Sequence, residues 1–258
     1  MLDYLCISAN RQGSFRTGRD LERTHVTPIA TLPAVDHERV ARIVAEVLRE
    51  RLAAPPPPRP TSPLVVNISV RHMHITTQHL EILFGAGATL TPLRPLHQEG
   101  QYAAEQTVDL VGPKRRMLQN VRILGPTRPQ TQIELAFSDA ILLGIDVPVR
   151  MSGDIDGTPG CIVMGPKGHI VLDRGVIRAQ RHAHLSPADA EYYGVRTGDA
   201  LDLVIEHPTC PVTFGGVIAR VDPRFKLEVH LDSDEGNACD LPGATAVRLA
   251  RPGTRRGG

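Results

Sequence analysis

The sequence has few aromatic residues, no excess of either charge and no long apolar run. It contains no tryptophan, five phenylalanines and four tyrosines in 258 residues. Its formal net charge of +1 at pH 7 gives no basic surface for nucleic acid or for an anionic membrane. No apolar run approaches the roughly 20 residues that a membrane-spanning helix needs. We therefore expect no nucleic-acid or membrane partner, and a small polar ligand instead.

The four cysteines lack the Cys-x-x-Cys spacing of redox and zinc motifs; they are Cys6, Cys161, Cys210 and Cys239. No signal-like apolar stretch opens the chain, so we expect reduced thiols and a cytoplasmic protein. No cysteine or serine stands beside a histidine in a recognisable arrangement, which argues against a covalent intermediate. The Gly-x-x-x-x-Gly-Lys pattern of a nucleotide-binding P-loop is absent too.

Glycine and proline are plentiful, with 23 and 22 residues. Many short apolar stretches such as "LVVNISV", "NVRILG" and "ALDLVIE" are bounded by Gly, Pro or Asp, which predicts short strands joined by tight turns. Two segments have helical character instead, at 76–85 and 186–195. The sequence therefore predicts a mostly β fold with short inserted helices.

The N-terminal region, residues 1–63, differs from the rest. Residues 1–35 carry no sustained periodicity, and we expect a poorly ordered tail. Residues 36–54 have apolar side chains at helical spacing after Asp36, which predicts an amphipathic helix with Asp36 as its N-cap. The Pro-rich stretch 55–63 ends that helix and acts as a linker. The helix either packs on the body of the protein or docks on a partner.

A repeat divides the remaining chain. Arg71-His72-Met73-His74 and Arg181-His182-Ala183-His184 are each followed by a helical segment and a pair of glycines. A reused supersecondary unit explains this pattern. We expect two related small β-barrel domains at 64–150 and 151–250, followed by a disordered tail at 251–258.

The two histidine pairs are candidate metal ligands. Alternate residues of a strand share one face, so His72 lies beside His74, and His182 beside His184. Two imidazoles at this spacing can reach one divalent ion. A single pair fits a solvated polar face equally well, but its duplication at matching places in a repeat favours metal binding or catalysis.

Each pair needs a third ligand. His230 lies on the polar face of the alternating stretch "KLEVHLD" and would complete three imidazoles with His182 and His184, unless this stretch is a charged surface hairpin. For the first pair the best carboxylate is Glu105, with Glu99 as a competitor, unless this region is a plain loop. Arg128 follows a Gly-Pro turn, where its guanidinium either binds phosphate or lies on the surface.

Six ordered blocks resemble the phosphate propanoyltransferases, the phosphotransacylases of bacterial microcompartments. They are "ISVRHMHIT", "GQYAAEQTVDLVGPK", "VRILGPTRPQTQIE", "DAILLGIDVPVRMSGDIDGTPG", "RHAHLSPADA" and "EVHLDSDEGNA". The resemblance covers about Leu64 to Leu249 and implies two β-barrels, two divalent metals, expected to be zinc, and CoA as substrate. The implied reaction is acyl-CoA plus phosphate giving acyl phosphate plus CoA.

The resemblance also implies roles for single residues. His72, His74 and Glu105 would hold one metal, and His182, His184 and His230 the other. Arg128 would be catalytic by binding phosphate. Gln98, Gly100 and Gln101 belong to the CoA-contact loop, where this chain has "QEGQ" in place of Gln-Pro-Gly-Gln. The chain also has "SDEGNAC" where Thr-Asp-Glu-Ala-Asn-Ala is typical, so Cys239 is either a bystander or an extra soft ligand.

Two rival functions use the same residues. Two metals beside an open site can activate water, which describes a dinuclear metallohydrolase acting on a thioester or a phosphate ester. Alternatively, zinc with four closed ligands only joins two barrels. The family further implies a homodimer and a location in the microcompartment lumen. Either residues 1–35 or the 36–54 helix would then recruit the chain to shell proteins.

Overall fold

The structure is a computed structural model that describes residues 36–53 and 63–252, with side chains for all of these except 48–53. The expected tail 1–35, nearly all of the Pro-rich linker 55–63 and most of the C-terminal tail 251–258 lie outside the described residues. Two compact units divide the chain, residues 1–55 and 56–258.

The described part of the first unit is one helix, α1, His37–Ala53. Asp36 Oδ1 accepts a hydrogen bond from the Arg39 backbone N–H at 3.1 Å, which satisfies a donor that has no partner within the helix. The predicted N-cap is therefore confirmed. None of the described helices combines the length and the apolarity that crossing a membrane requires.

The second unit consists mainly of short strands, with four short α-helices between them in the described part. The strands in chain order are β1 Val65–Ser69, β2 His72–His74, β3 Pro92–Pro95, β4 Tyr102–Val111, β5 Met117–Gly125, β6 Gln132–Glu134, β7 Val149–Arg150, β8 Ile162–Met164, β9 His169–Val171, β10 Val176–Ala179, β11 His182–Leu185, β12 Ala200–Glu206, β13 Val212–Val221, β14 Glu228–Asp232 and β15 Ala246–Ala250. The helices are α2 Thr77–Phe84, α3 Phe137–Leu143, α4 Pro187–Tyr193 and α5 Ser233–Ala238, and a 3-10 turn covers Leu241–Gly243.

These strands form two curled sheets. The first has nine strands in the order β7-β10-β6-β2-β5-β4-β8-β9, with β3 paired to β4. The second has six strands in the order β1-β14-β11-β13-β12-β15. The prediction of a mostly β fold with barrel-like sheets and short inserted helices is confirmed.

The two sheets exchange equivalent strands. Strand β1 precedes the first histidine pair but lies in the second sheet, parallel to β14, with Asn67 opposite His230. Strand β10 precedes the second pair but lies in the first sheet, parallel to β6, with Ile177 opposite Glu134. The chain thus crosses from one sheet to the other just before each histidine pair.

Sheet membership divides the chain differently from the expected boundary at residue 150. Strands β8, β9 and β10 follow that boundary, yet they belong to the first sheet. Strand β1 belongs to the second sheet. The domain ranges 64–150 and 151–250 therefore stay a prediction. Each of the two sheets contains strands from both sides of residue 150.

Each histidine strand separates a buried apolar layer from a polar cleft. On β2 the residue between the histidines, Met73, is fully buried in the first core. On β11 the corresponding Ala183 is fully buried in the second core, as is Leu185. The alternation that defines a strand therefore places both histidine pairs on the face away from the cores.

Arg178 on β10 links the two sheets through a buried ion-pair network. Its guanidinium contacts Asp232 at the end of β14 at 2.5 Å and Glu235 in α5 at 2.7 Å. Glu235 also pairs with Arg181 at 2.6 Å. Asp232 and Glu235 form the capping box of α5. The network therefore fixes β10, β14 and α5 against one another.

Replacing Arg178 by alanine should destabilise the protein more than replacing an exposed arginine, because the buried Asp232 would lose its cation and the buried Glu235 would keep only Arg181. We expect Arg178→Ala to lower the free energy of unfolding by about 3 kcal/mol, measured by urea denaturation. The matched control is Arg174→Ala, whose guanidinium pairs with the exposed Asp156 and should cost less than about 1 kcal/mol. Equal losses in the two variants would contradict a structural role for the network.

Candidate metal centres

The two histidine pairs occupy equivalent, buried positions in the two sheets. The ring centroids of His72 and His74 are 4.9 Å apart, and those of His182 and His184 are also 4.9 Å apart. All four residues are less than a tenth exposed. Since β2 and β11 are internal strands of their sheets, neighbouring strands on both sides can supply further groups to each pair.

The third member of each cluster comes from the antiparallel neighbour, directly opposite the first histidine. His230 on β14 is opposite His182, and Glu134 on β6 is opposite His72. The ligand atoms of His182, His184 and His230 lie within 4.8 Å of one another, as do those of His72, His74 and Glu134. The structure thus brings the three predicted imidazoles of the second cluster together.

Glu134, and not Glu105, stands beside the first histidine pair. Its carboxylate is 3.5 Å from His72 Nε2 and 3.8 Å from His74 Nε2. Glu105 lies on β4, which β5 separates from β2, and its side chain is exposed. The competitor Glu99 is also exposed and pairs with Lys226. The carboxylate beside the first histidine pair is therefore the one on a strand that pairs with β2.

The sequence contains a weak signal for Glu134. In "QIELAFSDA" Glu134 precedes a leucine and then a short helix, as His230 does in "EVHLDSDEG". Extending the repeat to these strands would have aligned Glu134 with His230. The signal is weak because the aligned residues differ in chemistry.

Both clusters contain buried ring nitrogens without hydrogen-bond partners. His74 Nδ1 and both nitrogens of His184 have no hydrogen-bond partner among the described residues, and His230 Nε2 has none apart from a 3.2 Å contact with Glu228. In His72 and His182, Nδ1 lies 2.9 and 2.8 Å from the carbonyl oxygens of Val70 and Gln180. A carbonyl only accepts, so Nδ1 must carry the proton and Nε2 keeps its lone pair.

Burial keeps His74, His182 and His184 neutral. Burial, with His72 next to it, lowers the pKa of His74 to about 3. Burial and the neighbouring His230 lower the pKa of His184 to about 2 and that of His182 to about 4. Neutral imidazoles with fixed tautomers and unpartnered lone pairs are the donors that a divalent ion such as Zn²⁺ accepts. Both clusters therefore fit such an ion.

Both clusters line one cleft of about 820 Å³. Arg128, the predicted phosphate-binding residue, lines it, and its guanidinium makes one long contact of 3.4 Å to Ser152. Arg220 on β13, which sequence reasoning missed, lies opposite His184 and lines the same cleft. Burial lowers the pKa of both arginines. No ion pair joins either guanidinium to a carboxylate in the described part of the chain, so both are available to an anion.

The turn that holds the candidate CoA-contact residues is close to the second cluster. The side chains of Gln98 and Gln101 line the cleft, and Gly100 adopts a φ of 73° at the turn. Gln98 is buried, and its amide donates to Glu228 Oε2 at 2.5 Å and to the Lys226 carbonyl at 3.1 Å. The Gln98 side chain therefore lies between this turn and the second histidine cluster.

Cys239 lies outside the clusters. It is fully buried in the second core, and its thiol donates to the carbonyls of Glu235 and Gly236. Burial raises its pKa. It is therefore a core residue, in agreement with the bystander role.

A third group, His207, Cys210 and Asp240, forms at the turn between β12 and β13. The expectation that no cysteine stands beside a histidine is wrong here, since Cys210 Sγ is 3.3 Å from His207 Nδ1. That nitrogen accepts the backbone N–H groups of Thr209 and Cys210 at 3.1 and 3.0 Å, and Nε2 is 3.1 Å from Asp240. Both ring nitrogens are occupied, so this histidine caps the turn.

Comparison with known proteins identifies the family. A sequence profile described as phosphate propanoyltransferase matches residues 65–242. A phosphate propanoyltransferase from Planctopirus limnophila is 52% identical over 221 residues, covering 83% of this chain and 91% of that protein. This chain belongs to the phosphate propanoyltransferase family. Other phosphate propanoyltransferases match as well: that of Thermotoga maritima is 48% identical over 69% of this chain and 84% of its own length, and that of Salmonella typhimurium 44% over 84% and 100%.

The stability of this phosphate propanoyltransferase homologue, stripped of metal by a chelator, should fall as pH drops below about 6.5. His74, His182 and His184 have pKa values below 6.5 in the fold, so the unfolded chain binds their protons first. Near pH 5.5 this proton binding by the unfolded chain lowers the free energy of unfolding by about 1 kcal/mol per histidine.

Thermal unfolding between pH 7.5 and 5.5 measures the effect above the range in which carboxylates titrate. In His184→Asn the slope of stability against pH should fall by about a third, since one of three proton-linked groups is gone. A melting temperature independent of pH in this window would contradict neutral, buried histidines.

Proposed function

We propose that this protein is a phosphate acyltransferase that moves a short acyl group, propanoyl or acetyl, between CoA and inorganic phosphate. The observation that carries the proposal is one cleft lined by two histidine clusters and two arginines without carboxylate partners. Cation sites and free guanidinium groups side by side suit two anionic substrates, CoA and phosphate. Membership of the phosphate propanoyltransferase family supports the same reaction.

Two divalent ions, with zinc as the expected metal, would be held by these clusters. His72, His74 and Glu134 would hold one ion, and His182, His184 and His230 the other. When bound, such ions supply Lewis acidity that polarises a thioester carbonyl or stabilises the CoA thiolate. Three protein ligands in each cluster are the number typical of catalytic sites, which leaves a position for substrate.

The remaining groups bind and orient the substrates. Arg128 and Arg220 would hold the phosphate dianion, and Ser152, 3.4 Å from Arg128, offers a hydroxyl on the same side. A phosphate oxygen then attacks the acyl carbon and the carbon–sulfur bond breaks. CoA leaves as the thiolate, and acyl phosphate forms in one step from the two bound substrates. Gln98, Gly100 and Gln101 would form the turn next to the pantetheine end of CoA.

The same cleft fits the rival metallohydrolase, in which water replaces phosphate as the nucleophile. The two free arginines favour the transferase, because hydrolysis of a thioester needs no bound phosphate. A purely structural metal role fits less well, since each cluster offers three ligands and opens on a cleft.

A thiol-release assay separates these functions. We expect zinc-loaded protein to release CoA from propanoyl-CoA or acetyl-CoA only when phosphate is present. Chelation should abolish the activity, and His182→Ala should lower it about 100-fold or more because a cluster loses a ligand. His169→Ala is the matched control, since His169 is exposed on β9, and it should keep full activity.

Release that does not depend on phosphate would support the hydrolase instead. No release from zinc-loaded protein would leave the structural role. In Arg128→Ala, the KM for phosphate should rise more than the KM for acyl-CoA, which tests the anion site separately.

We further propose, from the family alone, that the chain forms a homodimer, works in a microcompartment lumen of the cytoplasm and is recruited to the shell by its N-terminal region. Protein that lacks residues 1–54 should keep its activity and lose association with shell proteins, measured by co-purification with purified shells. Equal association of the shortened and complete chains would contradict recruitment by this region.

A further inference from the structure

The repeat extends one residue pair beyond the histidine clusters. The residue opposite the second histidine of each pair is Gln132 in the first sheet and Glu228 in the second, and Glu228 lines the cleft. Each lies two positions before the third cluster residue, on the same strand face. Gln132 donates to the Glu134 carboxylate at 2.7 Å, and Glu228 is 3.2 Å from His230 Nε2.

The two halves place their negative charge differently at these positions. The first half has an amide at 132 and a carboxylate at 134. The second half has a carboxylate at 228 and an imidazole at 230. Each cluster therefore has one carboxylate close to it: Glu134 is close to both histidines of its pair, and Glu228 is close to His230.

Glu228 is a buried carboxylate that faces His230 and two amide side chains. It is 2% exposed, and no lysine or arginine of the described chain forms an ion pair with it. Asn67 and Gln98 donate to its two different oxygens. A buried carboxylate whose hydrogen-bond partners are neutral amides is stabilised by a cation nearby.

The position of Glu228 next to His230 suggests where that cation is. His230 Nε2 makes no well-aligned hydrogen bond with the described residues and lies 3.2 Å from the Glu228 oxygen, a separation suitable for two atoms that face the same ion. We propose that Glu228 supplies the negative charge of the three-histidine cluster and thereby holds a divalent ion there, oriented by Asn67 and Gln98. This inference rests on the metal binding proposed above.

The proposal also gives Gln98 a positioning role. Its amide bonds both Glu228 and the Lys226 backbone, so the candidate CoA-contact turn is joined to the second cluster by one side chain. An ion bound beside Glu228 is thus linked to the turn through the Gln98 amide.

Zinc affinity in a background with one cluster tests the proposal. In full-length His72→Ala/His74→Ala protein only the second cluster is expected to bind, and a chromophoric chelator reports the competition for zinc. Adding Glu228→Gln should weaken zinc binding about 10- to 100-fold, the usual effect of losing a group that supports a metal ligand. Glu228→Asp keeps the charge and should restore most of the affinity.

Glu105→Gln is the matched control, because Glu105 is exposed and outside the clusters, and it should leave zinc affinity unchanged. Unchanged affinity in Glu228→Gln would overturn the proposal. If the metal-free Glu228→Gln protein fails to fold by circular dichroism, Asn67→Ala tests the same point, since it removes an amide donor and keeps the charge. Asn67→Ala should weaken zinc binding several-fold, and wild-type affinity in it would equally overturn the proposal.

Failure of this inference and failure of the proposed function give different results. Phosphate-dependent CoA release by the wild-type protein, together with unchanged zinc affinity in Glu228→Gln, rejects the inference and keeps the function. Loss of affinity in Glu228→Gln with no CoA release by the wild-type protein keeps the inference and rejects the function.

Discussion

The exchange of β1 and β10 between the sheets is the constraint on which the rest of the structure depends. Each of these strands pairs with the strand that carries the third cluster residue of the other half, β1 with β14 and β10 with β6. The chain then crosses back to its own sheet and begins a histidine strand. The crossing at residues 70–71 and 180–181 is short, so the two histidine strands must start close together. One cleft with two clusters is the geometric result.

Charge reinforces this geometry at each crossing. Arg71 and Arg181 directly precede the two histidine pairs. They form ion pairs with Asp139 in α3 and Glu235 in α5, at equivalent places in the helices that follow β6 and β14. Arg178 adds a contact from the exchanged strand to Asp232. These cations satisfy the acidic groups on the outer side of the clusters. The carboxylates on the inner side, Glu134 and Glu228, contact imidazoles and form no ion pair with a lysine or an arginine of the described residues, which suits the cleft to cations.

Local patterns in the sequence were sufficient for much of this. Alternation placed the histidine pairs on one face, the helix N-cap at Asp36 follows from its side chain, and the repeat revealed two related halves. His230 could be recognised because its own strand alternates clearly. Glu134 could not, since its strand has only three residues and its role depends on which strand lies opposite His72. Arg220 and the strand exchange depend likewise on pairing between distant segments, which a single sequence does not encode in local periodicity.

The contact between Ser138 and Asp234 has a consequence for how the two clusters differ. These residues occupy equivalent places after β6 and β14, and Ser138 donates to Asp234 at 2.6 Å. Because equivalent residues meet here, the approximate two-fold axis that relates the two halves lies near this contact. In a symmetric dimer of single halves, both members of such a contact would be the same residue, and the two clusters would have identical ligands. Covalent joining of the halves removes that restriction: one side can hold a carboxylate where the other has an imidazole, and a single cleft can present two chemically distinct walls to the molecules that meet in it.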